Sequence, residues 1–306
     1  MSDLYSAPGG VRAVLSQVGQ PGFSLAQLTT TGTDAGLQTF AASQFVSLDF
    51  ADDGAMGVAW TGSSSFVSTQ FYPLAGAPSA VTTTFGAATD AVDLAWNSAQ
   101  KEFASFHVLP SFGGTPTTIQ MRRWTSDGGL RGTTSPIVQN FATLHRDSVA
   151  ASSSGYFVAV GSSVSLVPPD GGTANPAVVY PGVVRAVATG SNSVGVLYAA
   201  TDAGALWFSQ LRTDGSGLVH APTLIDSGNN VYGRLAHDGS AWRVLFIHTP
   251  TETPWLATVS ATGSLESLEP VSCQTAPWYP SLARVAQGRV AIGLTTADNS
   301  QIFTTP

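Results

Sequence analysis

One pattern recurs seven times along this chain of 306 residues: an apolar run, a turn of small residues, and a second apolar run. It reads "DLYSAPGGVRAVLSQ" from Asp3, "SLDFADDGAMGVAW" from Ser47, "DLAWNSAQKEFASFHV" from Asp93 and "SVAASSSGYFVAVG" from Ser148. It returns as "AVATGSNSVGVLYA" from Ala186, "RLAHDGSAWRVLFI" from Arg234 and "SLARVAQGRVAIGL" from Ser281. Laid over one another, the copies align on Leu4, Leu48, Leu94, Val149, Val187, Leu235 and Leu282. Successive anchors lie 44, 46, 55, 38, 48 and 47 residues apart, about 46 on average. A fixed period of that size is the mark of a repeat architecture and is settled before any local motif is read.

Each copy continues with a third apolar or alternating segment, such as "TIQMRRW" (Thr118 to Trp124) or "ALWFSQL" (Ala205 to Leu211). A turn follows, as in "TSDGG", "PPDGG" or "TDGSG", and a short fourth segment closes the unit, as in "APTLID" (Ala221 to Asp226). Asp-Gly pairs supply the positive φ angles of tight hairpins. The segments are rich in Val, Leu, Phe and Thr, too short for helices, and show no helical periodicity of ten residues or more. Runs such as "VAVG" and "WRVLFI" fit strands covered on both faces. Four antiparallel strands in about 46 residues make a propeller blade. The expected fold is all-β, a seven-bladed β-propeller in one domain over 1–306. The blades fall at about 1–43, 44–88, 89–143, 144–182, 183–229, 230–276 and 277–306. The last unit holds three strands, so a three-stranded seventh blade is expected, packing face to face on the first.

The turn chemistry of "AHDGSAWRVLF" with "VSATGSL", and of "AWNSAQKEFASF" with "RWTSDGGL", resembles the propeller-type repeats of secreted proteins from myxobacteria and related predatory bacteria. The resemblance spans nearly the whole chain and implies a fold and a surface or secreted location, not an activity. The first, fourth and seventh units depart from it by losing the Asp-Gly turns or the aromatics.

Composition excludes several function classes. Only 10% of residues are charged and the net charge is −7 with no basic run, so nucleic acid is not an expected partner. No apolar stretch reaches 18 residues, which rules out a membrane-spanning helix. Cys273 is the only cysteine, so no internal disulfide or cysteine-cluster metal site can form. The five histidines lack close metal spacing, and no cofactor is expected. "MSDLYSAPGG" carries no signal-peptide pattern; a mature secreted or cell-surface segment, monomeric, is the expectation. Neither the Gly-His and Trp-Asp pairs of WD40 repeats nor a nucleophile elbow occurs.

In a propeller, the segments leading into each first strand share one face with the ends of the second strands. These segments are "SQFVS", "TDAVD", "LHRDS", "GVVRA", "NVYGR" and "PWYPS". They place Arg146, Asp147, Arg185, Tyr232, Arg234, Trp278 and Tyr279 at a candidate ligand-binding mouth, joined by Trp60, His107, Tyr198 and His248. Arginine forks suit anions and aromatic faces suit sugar rings. The expectation is a recognition module for a glycan, peptide or partner domain. Two alternatives stay open: a carbohydrate-active hydrolase or lyase using carboxyls such as Asp49, Asp90, Asp93 and Asp147 with His145, and a scaffold without a small ligand. Catalytic and metal-ligating residues are otherwise not assigned.

Overall fold

The computed structural model describes residues 2–7, 10–15, 23–28, 34–40, 45–61, 66–73, 75, 77–85, 92–109, 117–139, 144, 147–176, 178–200, 204–228, 232–249, 251–272, 279–285, 289–295 and 300–305. Every regular element among them is a strand, and the strands form seven antiparallel sheets in chain order. The first sheet holds β1 (Ser2–Ala7), β2 (Gly10–Leu15), β3 (Phe23–Leu28) and β4 (Asp34–Phe40). The second holds β5 (Phe45–Phe50), β6 (Met56–Thr61), β7 (Phe66–Tyr72) and β8 (Thr82–Phe85). The third holds β9 (Asp93–Asn97), β10 (Glu102–Leu109), β11 (Thr117–Trp124) and β12 (Leu130–Gln139). The fourth holds β13 (Val149–Ser152), β14 (Gly155–Val160), β15 (Ser163–Val167) and β16 (Val178–Val179).

The fifth sheet comprises β17 (Gly182–Thr189), β18 (Ser193–Ala200), β19 (Leu206–Arg212) and β20 (Thr223–Asp226). The sixth comprises β21 (Gly233–His237), β22 (Trp242–His248), β23 (Thr253–Val259) and β24 (Leu265–Pro270). The seventh has three strands, β25 (Tyr279–Arg284), β26 (Val290–Thr295) and β27 (Ser300–Thr304). All seven repeat anchors fall in the first strand of a sheet. Two compact units result: Met1–Ala41 with Tyr180–Arg212 and Ser216–Pro306, and Ala42–Val179 with Thr213–Gly215. The first contains sheets one, five, six and seven; the second contains sheets two, three and four.

Three pairs of neighbouring sheets, two and three, five and six, and seven and one, share one device: a glycine on the second strand of one sheet lies under the anchor leucine of the other. A Cβ on Gly57 of β6 would sit 2.9 Å from Leu94 Cδ2 and 3.0 Å from Phe103 Cδ1. On Gly195 of β18 it would sit 2.9 Å from Leu235 Cδ2 and 2.6 Å from Trp242 Cζ3, and on Gly293 of β26 3.2 Å from Leu4 Cγ. Ala95 and Ala104 supply the small residues between the third and fourth sheets, where Val149 packs. Aromatics complete the packing around the same glycines. Phe71 lies 5.4 Å from Phe103 and 5.3 Å from Trp124 between ring centroids, and Phe208 lies 5.4 Å from Trp242.

Polar clips fix the first strands to one another. Asp49 Oδ2 accepts from Trp96 N at 2.6 Å, and Asp93 Oδ2 accepts from Val149 N at 2.9 Å. Asn97 Nδ2 donates to Ser152 O at 2.9 Å. Between the third and fourth sheets the buried Glu102 accepts from the Tyr156 hydroxyl at 3.0 Å and from Arg131 at 3.3 Å, with Arg123 at 3.8 Å. The seventh sheet meets the first by more than the face packing expected of it, because Arg284 N also donates to Ser6 Oγ at 2.8 Å.

Side chains added at the glycines must displace neighbours held on both sides, which costs about 1–3 kcal/mol or more. Gly195→Val is therefore expected to lower the urea midpoint, and Leu94→Ala to cost about 2–5 kcal/mol through the cavity it leaves. Denaturation of both variants, compared with an exposed control such as Thr262→Ala, measures this. Wild-type midpoints for both would show that the leucine–glycine contacts do not hold the sheets together.

Candidate functional site

In the unit of sheets two to four, two of the carboxyls considered for chemistry, Asp49 and Asp93, are committed to the backbone. Asp93 is 5% exposed and accepts from Ser47 Oγ at 2.8 Å, Leu94 N at 3.0 Å and Val149 N. Asp49 accepts from Phe50 N at 2.8 Å as well as from Trp96 N. Burial raises both, Asp49 to about 6 and Asp93 to about 7, the latter also through the nearby charge of Asp147. Asp147 is half-buried in the turn before β13, with φ 61°, a left-handed conformation that Asp tolerates better than most residues.

His107 belongs to the interior rather than to a ligand-facing rim. It is 1% exposed on β10, opposite Gln120 of β11, and neither ring nitrogen has a hydrogen-bond partner. Burial, then the charge of Arg122, lowers it to about 4, so the ring is neutral at ordinary pH. The apolar alternation of "EFASFHV" carries His107 inward with Phe103 and Ser105, and end-of-strand position alone does not reveal this. Trp60 is half-buried on β6.

The other unit brings two of the expected residues together. Arg185 is the extra residue of a β-bulge in β17, where Val184 pairs with Tyr198 and Ala186 with Leu197. A bulge re-aims the side chain it carries. The Arg185 Nε is buried without a hydrogen-bond partner, and burial lowers the pKa of the guanidinium while the neighbouring Tyr232 raises it. Tyr232 precedes β21 and is 48% exposed. Its carbonyl accepts from Ile247 N at 3.4 Å. Gly233 follows because the backbone there passes close to Leu197, whose Cδ2 would lie 2.5 Å from an added Cβ. Arg234 is half-buried in β21. Thus "GVVRA" is strand rather than approach segment, and Arg185 and Arg234 reach their positions from within strands.

His248 ends β22. Its Nδ1 lies 2.9 Å from Thr251 Oγ1, its Nε2 3.8 Å from Asp226 Oδ2, and its ring 5.7 Å from that of Trp255. The strand register also sets Tyr198 opposite Trp207, with its ring 4.8 Å from Tyr180. Asp226 and Trp255 were not among the residues singled out from the sequence, because they belong to third and fourth strands whose ends meet only in the fold. Arg146, Trp278, Asp90 and His145 lie outside the described residues, as does the side chain of Tyr279.

No known family profile matches the chain, and a search of curated proteins finds no relative. Solved structures do match. The WD40 domain of coronin from Toxoplasma gondii superposes with a TM-score of 0.65 at 14% identity, over 98% of this chain and 79% of that one. The BP39L lectin from Burkholderia pseudomallei gives 0.73 at 12% identity, over 99% and 94%. Prolyl oligopeptidase B from Galerina marginata gives 0.62 at 10% identity, over 99% of this chain but 48% of that one. At these identities the likeness is one of fold: the chain is an all-β protein of the seven-bladed β-propeller class, six blades four-stranded and the last three-stranded.

The raised carboxyls have a consequence for pH. In the folded protein Asp49 and Asp93 hold protons to about 6 and about 7, whereas an unfolded Asp releases its own near about 3.9. The folded state therefore binds more protons across that window, and its stability falls as pH rises from about 4 to about 7. The lowered His107 works the other way, costing stability as pH falls from its ordinary value towards about 4. Asp93→Asn keeps an acceptor for the backbone and removes one titration. Between pH of about 5 and about 8, its melting temperature should fall less than that of the wild type. Equal falls would show that Asp93 stays ionised in the fold.

Proposed function

We propose that this propeller is a recognition module that binds a glycan at the upstream ends of the first strands of sheets five and six. One observation carries the reading: a buried guanidinium Nε–H of Arg185, without an acceptor, beside the exposed ring of Tyr232. A donor left unpaired and out of water costs about 1–3 kcal/mol, which a ligand oxygen would recover. The phenol offers a flat face to the C–H surface of a pyranose, and the guanidinium donates to a hydroxyl or carboxylate. The likeness to a lectin fold supports the same class of ligand. Asp49 and Asp93, two of the four carboxyls open to a hydrolase reading, are already engaged by backbone N–H groups. The sparsely charged composition supports a place outside the cell or on its surface.

A glycan array probed with the labelled protein tests the reading. Binding to at least one sugar class is expected, with affinity about tenfold weaker for Arg185→Ala and for Tyr232→Ala, the loss of one charged hydrogen bond or one stacked ring. Melting temperatures of the variants should stay close to that of the wild type. An array without signal, or wild-type binding by both variants, would overturn the assignment.

A further inference from the structure

The seventh sheet ends on β27, which pairs with β26 on one side and with no described strand on the other. The direction of its backbone groups follows from one bond. Thr305 N donates to Val290 O at 2.9 Å, so position 305 turns its polar groups inward to β26. In an antiparallel pair this alternates by residue. Ile302 and Thr304 therefore turn their N–H and C=O groups to the open side.

That open edge differs from the outer edges of the other sheets. β24 carries Glu266, Glu269, Pro270 and a bulge; β12 carries Arg131, Pro136 and bulges. β4 and β20 each carry an aspartate and a bulge. β8 is four residues long and β16 two. These are the usual devices that stop a sheet edge from pairing further. β27, "SQIFT", is five residues long with no charge, no proline and no break in register.

Beside it lies a groove of about 430 Å³, lined by Leu256, Val271 and Ile292 and by the polar Glu269, Gln301 and Thr304. It occupies the place where a fourth strand would set its side chains against sheet six. Among its described lining residues Glu269 is the one charge. The β27 edge of a second copy is itself uncharged and offers no cation to this carboxylate.

We propose that the β27 edge takes up an extended polypeptide segment of a partner protein as the fourth strand of the seventh sheet. The segment runs antiparallel to β27, sets small apolar side chains into the groove and places a Lys or Arg against Glu269. Backbone pairing gives the affinity and the alternate side chains give the selectivity, as in other cases of strand addition. The site is separate from Arg185 and Tyr232.

Two labelled peptides test it: acetyl-Thr-Val-Thr-Arg-Thr-Val-Thr-amide and the same sequence with Glu in place of Arg. The wild type should bind the Arg peptide about tenfold more tightly than the Glu peptide by fluorescence anisotropy. Thr304→Pro removes an N–H that β26 does not use, at an edge position where proline is tolerated. It should lose peptide binding and keep the wild-type melting temperature. Glu269→Arg should reverse the preference between the peptides. Absence of binding by the wild type, binding unchanged in Thr304→Pro, or an unreversed preference in Glu269→Arg would each overturn the proposal. So would sedimentation showing a wild-type dimer that Thr304→Pro dissolves, since β27 would then serve a second copy.

Discussion

The contact of an anchor leucine with a glycine on the preceding sheet is what the remaining structure leans on. Leu94 over Gly57, Leu235 over Gly195 and Leu4 over Gly293 bring one sheet's first strand hard against another's second strand. Only a residue without Cβ permits the approach. The rings of Phe103 and Trp242 close over the same glycines and widen the contact beyond them, each at most 1% exposed. A narrow inner contact and a broad outer one follow directly from the twist of short antiparallel sheets. The same gradient explains why the first and second strands read as continuous apolar runs, while fourth strands such as β24 are largely exposed.

Close approach creates a second requirement, for the free edges of the first strands. Backbone groups there cannot pair with another strand, and burial without partners is costly. Side chains answer it locally: Asp49 and Asp93 each take an N–H from the adjoining sheet, and Ser6 does so for Arg284. These residues are polar, lie near strand ends, and look like surface chemistry in the sequence. Their work is structural. The charged residues are few, and the described acids with direct partners are largely spent on such clips, on the Glu102 cluster, or on turns such as that of Asp238, held at about 2 by backbone and Arg243 donors against the opposing effect of burial.

The two residues proposed to meet a ligand stand apart from this packing. Arg185 owes its position to a bulge and Tyr232 to its place just ahead of β21. Neither is required for the leucine–glycine packing. A scaffold whose inner contacts are fixed by apolar shape can vary such residues freely, which is how one fold serves unrelated ligands.

The period of the hairpins was enough to give the class of fold, the number of sheets and the three-stranded last sheet, because turn chemistry and strand length are local properties. It also placed every anchor in a first strand. Local rules did not separate Gly57 and Gly195 from weak strand residues, since the reason for each is a side chain about 40 positions away; Gly293 answers both Ser281 on the paired strand and Leu4 at the far end of the chain. They placed His107 at a strand end without showing that both faces of that end are covered, and they read Asp93 as available when Ser47 and Val149 already hold it. Arg185 and Tyr232 were legible as residue types in corresponding segments; that one shifts the other's charge equilibrium is a matter of sheet-on-sheet distance. That the seventh sheet stops at its third strand was legible in the sequence; the groove beside β27 was decided only by tertiary structure, because its walls come from sheets six and seven together.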